Sequence, residues 1–146
     1  MSRSRDLAAV RTQPATTTLG TSNYRAGVNA GNSIASGGNF NVTLGDEAGT
    51  AITTGDNNVA VGYAALDANQ TANHNVAIGG SALGSNTTGA TNTAVGGESM
   101  TANTEGGNNV ALGYQSLHDL TTGSNNVAIG YQTLSTEDAH GDNVAV

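Results

Sequence analysis

A seventeen-residue period governs this chain. Gly45, Gly62, Gly79, Gly96, Gly113 and Gly130 stand 17 residues apart, and the residues around each glycine recur with it. Upstream lies an asparagine column without exception: Asn41, Asn58, Asn75, Asn92, Asn109, Asn126 and Asn143. A valine column follows (Val42, Val59, Val76, Thr93, Val110, Val127, Val144), then an alanine column (Thr43, Ala60, Ala77, Ala94, Ala111, Ala128, Ala145). A second aliphatic column comes next: Leu44, Val61, Ile78, Val95, Leu112, Ile129 and Val146. Beyond the glycine stand Leu66, Leu83, Met100, Leu117 and Leu134. A fainter unit precedes these, because Gly27, Ala30, Gly31, Ile34 and Gly37 reappear 18 residues later as Gly45, Ala48, Gly49, Ile52 and Gly55. The array therefore starts near Tyr24 and adds about seven coils.

A repeat of this length builds a stack in which each unit buries its apolar side on the next. The Val-Ala-Ile run predicts a strand, since β-branched residues suit the extended backbone and alternate side chains point to opposite faces. Both faces are apolar, which is the pattern of a strand buried on both sides. The expectation is a parallel β-solenoid with Val59 and Val61 lining the coil. Ala60, Ala77, Ala94, Ala111 and Ala128 then face outward, small enough for a neighbouring chain to approach closely. The asparagine column predicts amide ladders along the stack, and the glycines mark turns or close backbone approach. Seven coils at ~4.8 Å per strand span on the order of 30–35 Å.

Composition points the same way. The chain has no Trp, one Phe, 3% aromatic and 10% charged residues, and 21 glycines. Ala and Val bury little area each, so a single copy has few means of offsetting its ordering entropy except stacking and self-association. Charge is segregated. Arg3, Arg5, Arg11 and Arg25 are the only basic residues, so residues 1–25, with Asp6, carry a net +3 and residues 26–146 a net −10. An acidic body argues against nucleic acid and anionic membrane as partners. The basic start reads as an attachment arm over residues 1–24, ahead of a repeat domain over residues 25–146, with Arg3, Arg5 and Arg11 as its docking residues.

There are no cysteines, hence no disulfides or thiolate metal sites. The opening residues have only a four-residue apolar run, short of a secretory core. No stretch approaches the ~20 apolar residues needed to span a bilayer. Val146 falls one residue before the next expected glycine, so a capping unit is expected from elsewhere or from a partner.

Asn58-Val-Ala-Val-Gly62, Asn75-Val-Ala-Ile-Gly79, Asn109-Val-Ala-Leu-Gly113 and Asn126-Val-Ala-Ile-Gly130 resemble the head repeats of YadA-type trimeric adhesins. Similar repeats occur in phage and algal-virus fibre or spike proteins. The resemblance covers roughly residues 39–146. It implies a left-handed parallel β-roll, three chains about a three-fold axis, and a surface or attachment role. The repeat is longer than the usual adhesin unit, with an added Tyr-x-Ala-Leu segment that suits a turn of helix. The expectation is therefore a homotrimeric virion spike or tail fibre made in the host cytoplasm, gripping a capsid or tail protein through its arm and meeting a host glycan or receptor.

Catalytic chemistry is not expected, and neither is a cofactor. His74, His118 and His140 occupy different columns, and Ser116, His118 and Asp119 are too close in sequence to converge as a triad. No Gly-x-Gly-x-x-Gly or P-loop is present. Asp46/Glu47 and Glu137/Asp138 lack calcium-loop spacing and read as solvated faces. Tyr63, Tyr114 and Tyr131 share a column, either as a receptor stripe for sugars or, the stronger expectation, as rings packed on neighbouring coils. Two alternatives remain. One is a fragment of a bacterial trimeric adhesin. The other is an ice-binding solenoid, suggested by Thr53-Thr54, Thr71, Thr87-Thr88 and Thr121-Thr122, although Glu105 and Ala139 interrupt that ladder.

Overall fold

The computed structural model describes residues 22–34 and 37–146. Arg3, Arg5 and Arg11 lie outside the described residues, as does the expected arm up to residue 21.

Among the described residues, eight short strands carry the repeat: β1 (Tyr24–Ala26), β2 (Val42–Leu44), β3 (Val59–Val61), β4 (Val76–Ile78), β5 (Thr93–Val95), β6 (Val110–Leu112), β7 (Val127–Ile129) and β8 (Val144–Ala145). They form one parallel sheet in chain order. The register is the sequence period in space. Val59 lies beside Val76, Ala60 beside Ala77 and Val61 beside Ile78. The fainter first unit joins with its longer offset, Tyr24 beside Val42. The protein is an all-β parallel solenoid of about seven turns.

Three strand residues per coil cannot hold such a stack alone. The corners do the rest, because their N–H groups also point along the stack. Ala64 donates to the carbonyl of Asp46 at 3.0 Å, Leu66 to Ala82 at 2.9 Å and Ala68 to Gly84 at 3.0 Å. The Tyr-x-Ala-Leu segment forms no helical turn, and no helix occurs among the described residues. Ala64 and Leu66 sit at φ 51° and 54°, a left-handed conformation recurring at Ser81 and Leu83, Glu98 and Met100, and Gln115 and Leu117. A right-handed helix cannot propagate through such residues. The local cost is of the order of 1–2 kcal/mol each. It is offset by fully burying Leu66, Leu83, Met100 or Leu117, at about 1.5–3 kcal/mol per side chain.

The coil interior differs from the expectation. Ala60, Ala77, Ala94, Ala111 and Ala128 point inward and are fully buried within the single chain. The aliphatic residues on either side of each point outward. The lumen is filled by these alanines, by the Leu66 column and by asparagines. In most coils volume is balanced between two positions, although the coil of Leu117 also holds Leu120. Where Gly31 and Gly49 replace the leucine, Ile34 and Ile52 stand three residues on. Where Leu66, Leu83 and Met100 are present, Asn69, Asn86 and Asn103 stand there instead. A Cβ at Gly49 would lie 2.8 Å from Ile52 Cδ1, so the isoleucine already occupies the leucine's space.

The asparagine column forms the expected ladder, buried. Asn92 Nδ2 donates to the Gly106 carbonyl at 2.7 Å, closing its own coil, while Asn92 Oδ1 accepts the Asn109 backbone N–H at 3.0 Å, tying on the next. The same pair recurs at Asn58, Asn75 and Asn109. Only a short side chain with both a donor and an acceptor satisfies both demands, which explains the uninterrupted column. A second ladder runs through Asn69, Asn86 and Asn103.

Candidate functional site

Two exposed surfaces of the solenoid carry patterns that the fold does not itself require. The first is the outer face of the sheet. Because the alanines turn inward, the valine column and the second aliphatic column form an outward strip running the length of β2–β8. Ile78 and Ile129 are each 39% exposed, and most other members are half-buried against one another. Neither column contains a charged residue from β1 to β8. The expectation that Ala60, Ala77, Ala94, Ala111 and Ala128 meet a neighbouring chain is therefore corrected. A side chain with no accessible surface in one chain has nothing to offer another, and the residues available for contact are the valines, leucines and isoleucines beside them.

The second surface is the corner after the glycine column, where successive coils place Tyr63, Gly80, Gly97, Tyr114 and Tyr131 in line. Tyr63 is 62% exposed, Tyr114 44% and Tyr131 71%. Tyr114 and Tyr131 stack, with ring centroids 5.8 Å apart and planes 17° from parallel. Tyr114 and Tyr131 are thus both packed on one another and open to solvent, while Tyr63 stands apart from them. Beside them runs a chain of polar side chains. Gln132 Nε2 donates to Gln115 Oε1 at 2.8 Å, and Gln115 Nε2 to Glu98 Oε2 at 2.7 Å. The Tyr114 hydroxyl donates to the same carboxylate oxygen at 3.4 Å. Glu98's charge, with some burial, raises the Tyr114 pKa. Tyr63 is raised as well, chiefly through a hydrogen bond to Glu47 and then by its charge. The sequence singles out the tyrosines and suggests turns or close backbone approach at the glycines. Gly80 and Gly97 share the tyrosine column in the sequence, and only the structure shows the space at Gly80.

Ser116, His118, His140 and the threonines take the following places. Ser116 is buried, and its hydroxyl donates to the Gly113 carbonyl at 3.0 Å, while His118 Nδ1 faces Asp119 Oδ1 at 2.5 Å. Serine and histidine do not converge. His140 joins Glu137 and Asp138, with one ligand atom of each within 4.8 Å of the others. His140 Nδ1 lies 2.6 Å from Glu137 Oε1, an exposed pairing between neighbours in one turn. At the threonine corner one column of hydroxyls is engaged, while the adjacent Thr54, Thr71, Thr88 and Thr122 are exposed. Thr53, Thr87, Thr104 and Thr121 each donate to a carbonyl on the next coil at 2.7–3.2 Å. No helix among the described residues is long and apolar enough to cross a membrane.

Against protein-family models, curated proteins and solved structures, the chain gives no match.

Proposed function

We propose that this chain is a structural, non-enzymatic subunit of a trimeric spike or fibre, whose copies pack through the outward aliphatic face. The observation that supports this is the uncharged strip of Val, Leu and Ile along the sheet. On a lone solenoid such a strip is left in water at a cost that scales with its apolar area. A second copy matches it well, because it offers the same residues at the same ~4.8 Å pitch over the same length. Resemblance of the repeats to those of trimeric adhesins and viral fibres favours three copies and left-handed coils. It also favours a virion surface, with residues 1–24 gripping an acidic patch on a capsid or tail protein.

The test is native mass by light scattering alongside circular dichroism. A β-rich species at three times 14.4 kDa is expected. Ile78→Lys with Ile129→Lys should return it to a folded monomer, whereas Thr54→Lys on another face should leave the mass unchanged. A wild-type protein that is folded and monomeric sinks the assembly. Arm docking fails separately if an Arg3→Glu, Arg5→Glu, Arg11→Glu variant still assembles on its particle.

A further inference from the structure

The tyrosine corner contains two glycines that the chain itself does not need. Gly80 and Gly97 have no positive φ, unlike Gly79 and Gly96 just before them. A Cβ built on Gly80 would have only the Tyr63 carbonyl oxygen within reach, at 4.0 Å. A Cβ on Gly97 would meet Tyr114 Cδ2 at 3.4 Å and Cε2 at 3.7 Å, so the Tyr114 ring leans over that glycine. Tyrosine fills the same position at 63, 114 and 131 without strain from positive φ. Gly80 therefore opens a notch about one coil wide, ~5 Å at the pitch of parallel strands. Its floor is backbone, and aromatic rings stand at either end.

The chemistry around the notch is specific. The tyrosines supply flat apolar faces with polar rims. Glu98 stands beside Gly97, and the hydrogen-bonded row continues from it past Tyr114 and Tyr131 through Gln115 and Gln132. Ser81 and Glu98 occupy the positions next to the two glycines. Flat C–H faces edged by hydroxyl groups match this arrangement, since hydroxyls donate to carboxylate and amide oxygens and accept from amide N–H groups. Fixed negative charge nearby, from Glu47 and Glu98, opposes acidic ligands. We infer that the notch between Tyr63 and Tyr114 binds neutral oligosaccharides by seating one hexose or N-acetylhexosamine unit. This deepens the attachment reading by naming the class of receptor, and it rests on that reading for its biological sense, not for its chemistry.

The test is a printed glycan array probed with the full chain, followed by calorimetric titration with cellohexaose, chitohexaose and polygalacturonate. Binding to neutral glycans and none to polygalacturonate is expected. Tyr114→Ala should weaken binding by roughly tenfold or more. Gly80→Tyr places in the notch the side chain already tolerated in neighbouring coils and should abolish binding while circular dichroism stays unchanged. If no neutral glycan binds, or if both variants bind as well as the parent, the inference is wrong. If Gly80→Tyr instead splits the oligomer, the notch is a contact between copies and the inference is equally wrong. Light scattering on the same samples separates the two proposals, because a monomer that binds neutral glycans through this notch upholds the site and refutes the trimer.

Discussion

Gly79 and Gly80 are adjacent, and the structure assigns their alanine variants opposite outcomes. Gly79 ends β4 at φ 134°, and a Cβ there would lie 2.5 Å from both the carbonyl carbon and oxygen of Gly96 on the next coil. Those are backbone atoms locked into the stack and cannot step aside. Backbone strain in such a region costs of the order of 1–3 kcal/mol. Forcing an extra carbon into a packed contact costs about as much again. Gly79→Ala should therefore lose roughly 2–6 kcal/mol, much of the ~5–15 kcal/mol by which a domain is stable. Gly80 has no positive φ and open space above it. Gly80→Ala should gain about 0.4–1 kcal/mol by narrowing the unfolded ensemble.

Chemical denaturation followed by far-ultraviolet circular dichroism measures both. Oligomers must be compared at one protein concentration, because association adds to apparent stability. Two results would refute the reasoning: a Gly79→Ala variant within ~1 kcal/mol of the parent, or two variants shifted in the same direction. Either would mean that the coils slide enough to relieve the contact, and that the glycine column does not set the stacking distance.

The remaining predictions concern the buried amides and one carboxyl. Asn92→Asp replaces the donor to the Gly106 carbonyl with an oxygen, so the new carboxyl must stay protonated to make that bond. Its folded pKa then lies above the unfolded value of about 3.9, and the variant's stability is fullest below that pH and falls by about 1.4 kcal/mol per pH unit up to the folded pKa; a deficit that ignores pH in urea melts contradicts the ladder. Asn103 Oδ1 is buried with no partner because Leu120 stands where the second ladder would continue. Leu120→Asn should therefore cost less than Leu120→Ala, reversing the usual core order, since the new amide can donate to Asn103 Oδ1 as Asn103 donates to Asn86; thermal melts of the two variants decide it. Burial raises the pKa of Asp67, with the Glu47 charge adding to it and a Thr50 hydrogen bond opposing it. Ionising Asp67 thus removes stability as pH rises through its folded pKa. Asp67→Asn should be slightly the more stable at pH 7, by an amount kept small by solvent screening, and the gap should close well below pH 4; a gap that widens in acid reverses the sign.

Much of this fold was legible because the repeat fixes its own register. Once Gly62 and Gly79 are aligned, Val59 must lie beside Val76, and the structure pairs them so. The buried ladder was also legible, since an invariant amide among apolar columns needs a partner, and the partner is its own copy one coil away. The corners were not. A Tyr-x-Ala-Leu segment carries no local mark of left-handed φ, because Leu66 and Leu83 adopt it against their own preference and are held there by bonds to neighbouring coils. The notch was missed for a related reason: glycine in a repeat suggests a turn, and only space around Gly80 shows that no turn requires it.

The inverted strand faces carry the deeper physical point. Sequence alone says that both faces of Val59–Val61 are apolar, and burial by size then sends the larger side chains inward. A coil of 17 residues is too narrow for that. Its lumen must also hold Leu66 from the opposite wall and the amides of Asn58 and Asn69, all fully buried. With those in place only a methyl group fits beneath the strand, so Ala60 turns in and Val59 and Val61 turn out. The choice is made by the volume of the coil rather than by the hydrophobicity of the strand. It also moves the contact surface of the molecule, because the aliphatic residues excluded from the lumen form the strip that another copy of the chain is proposed to cover.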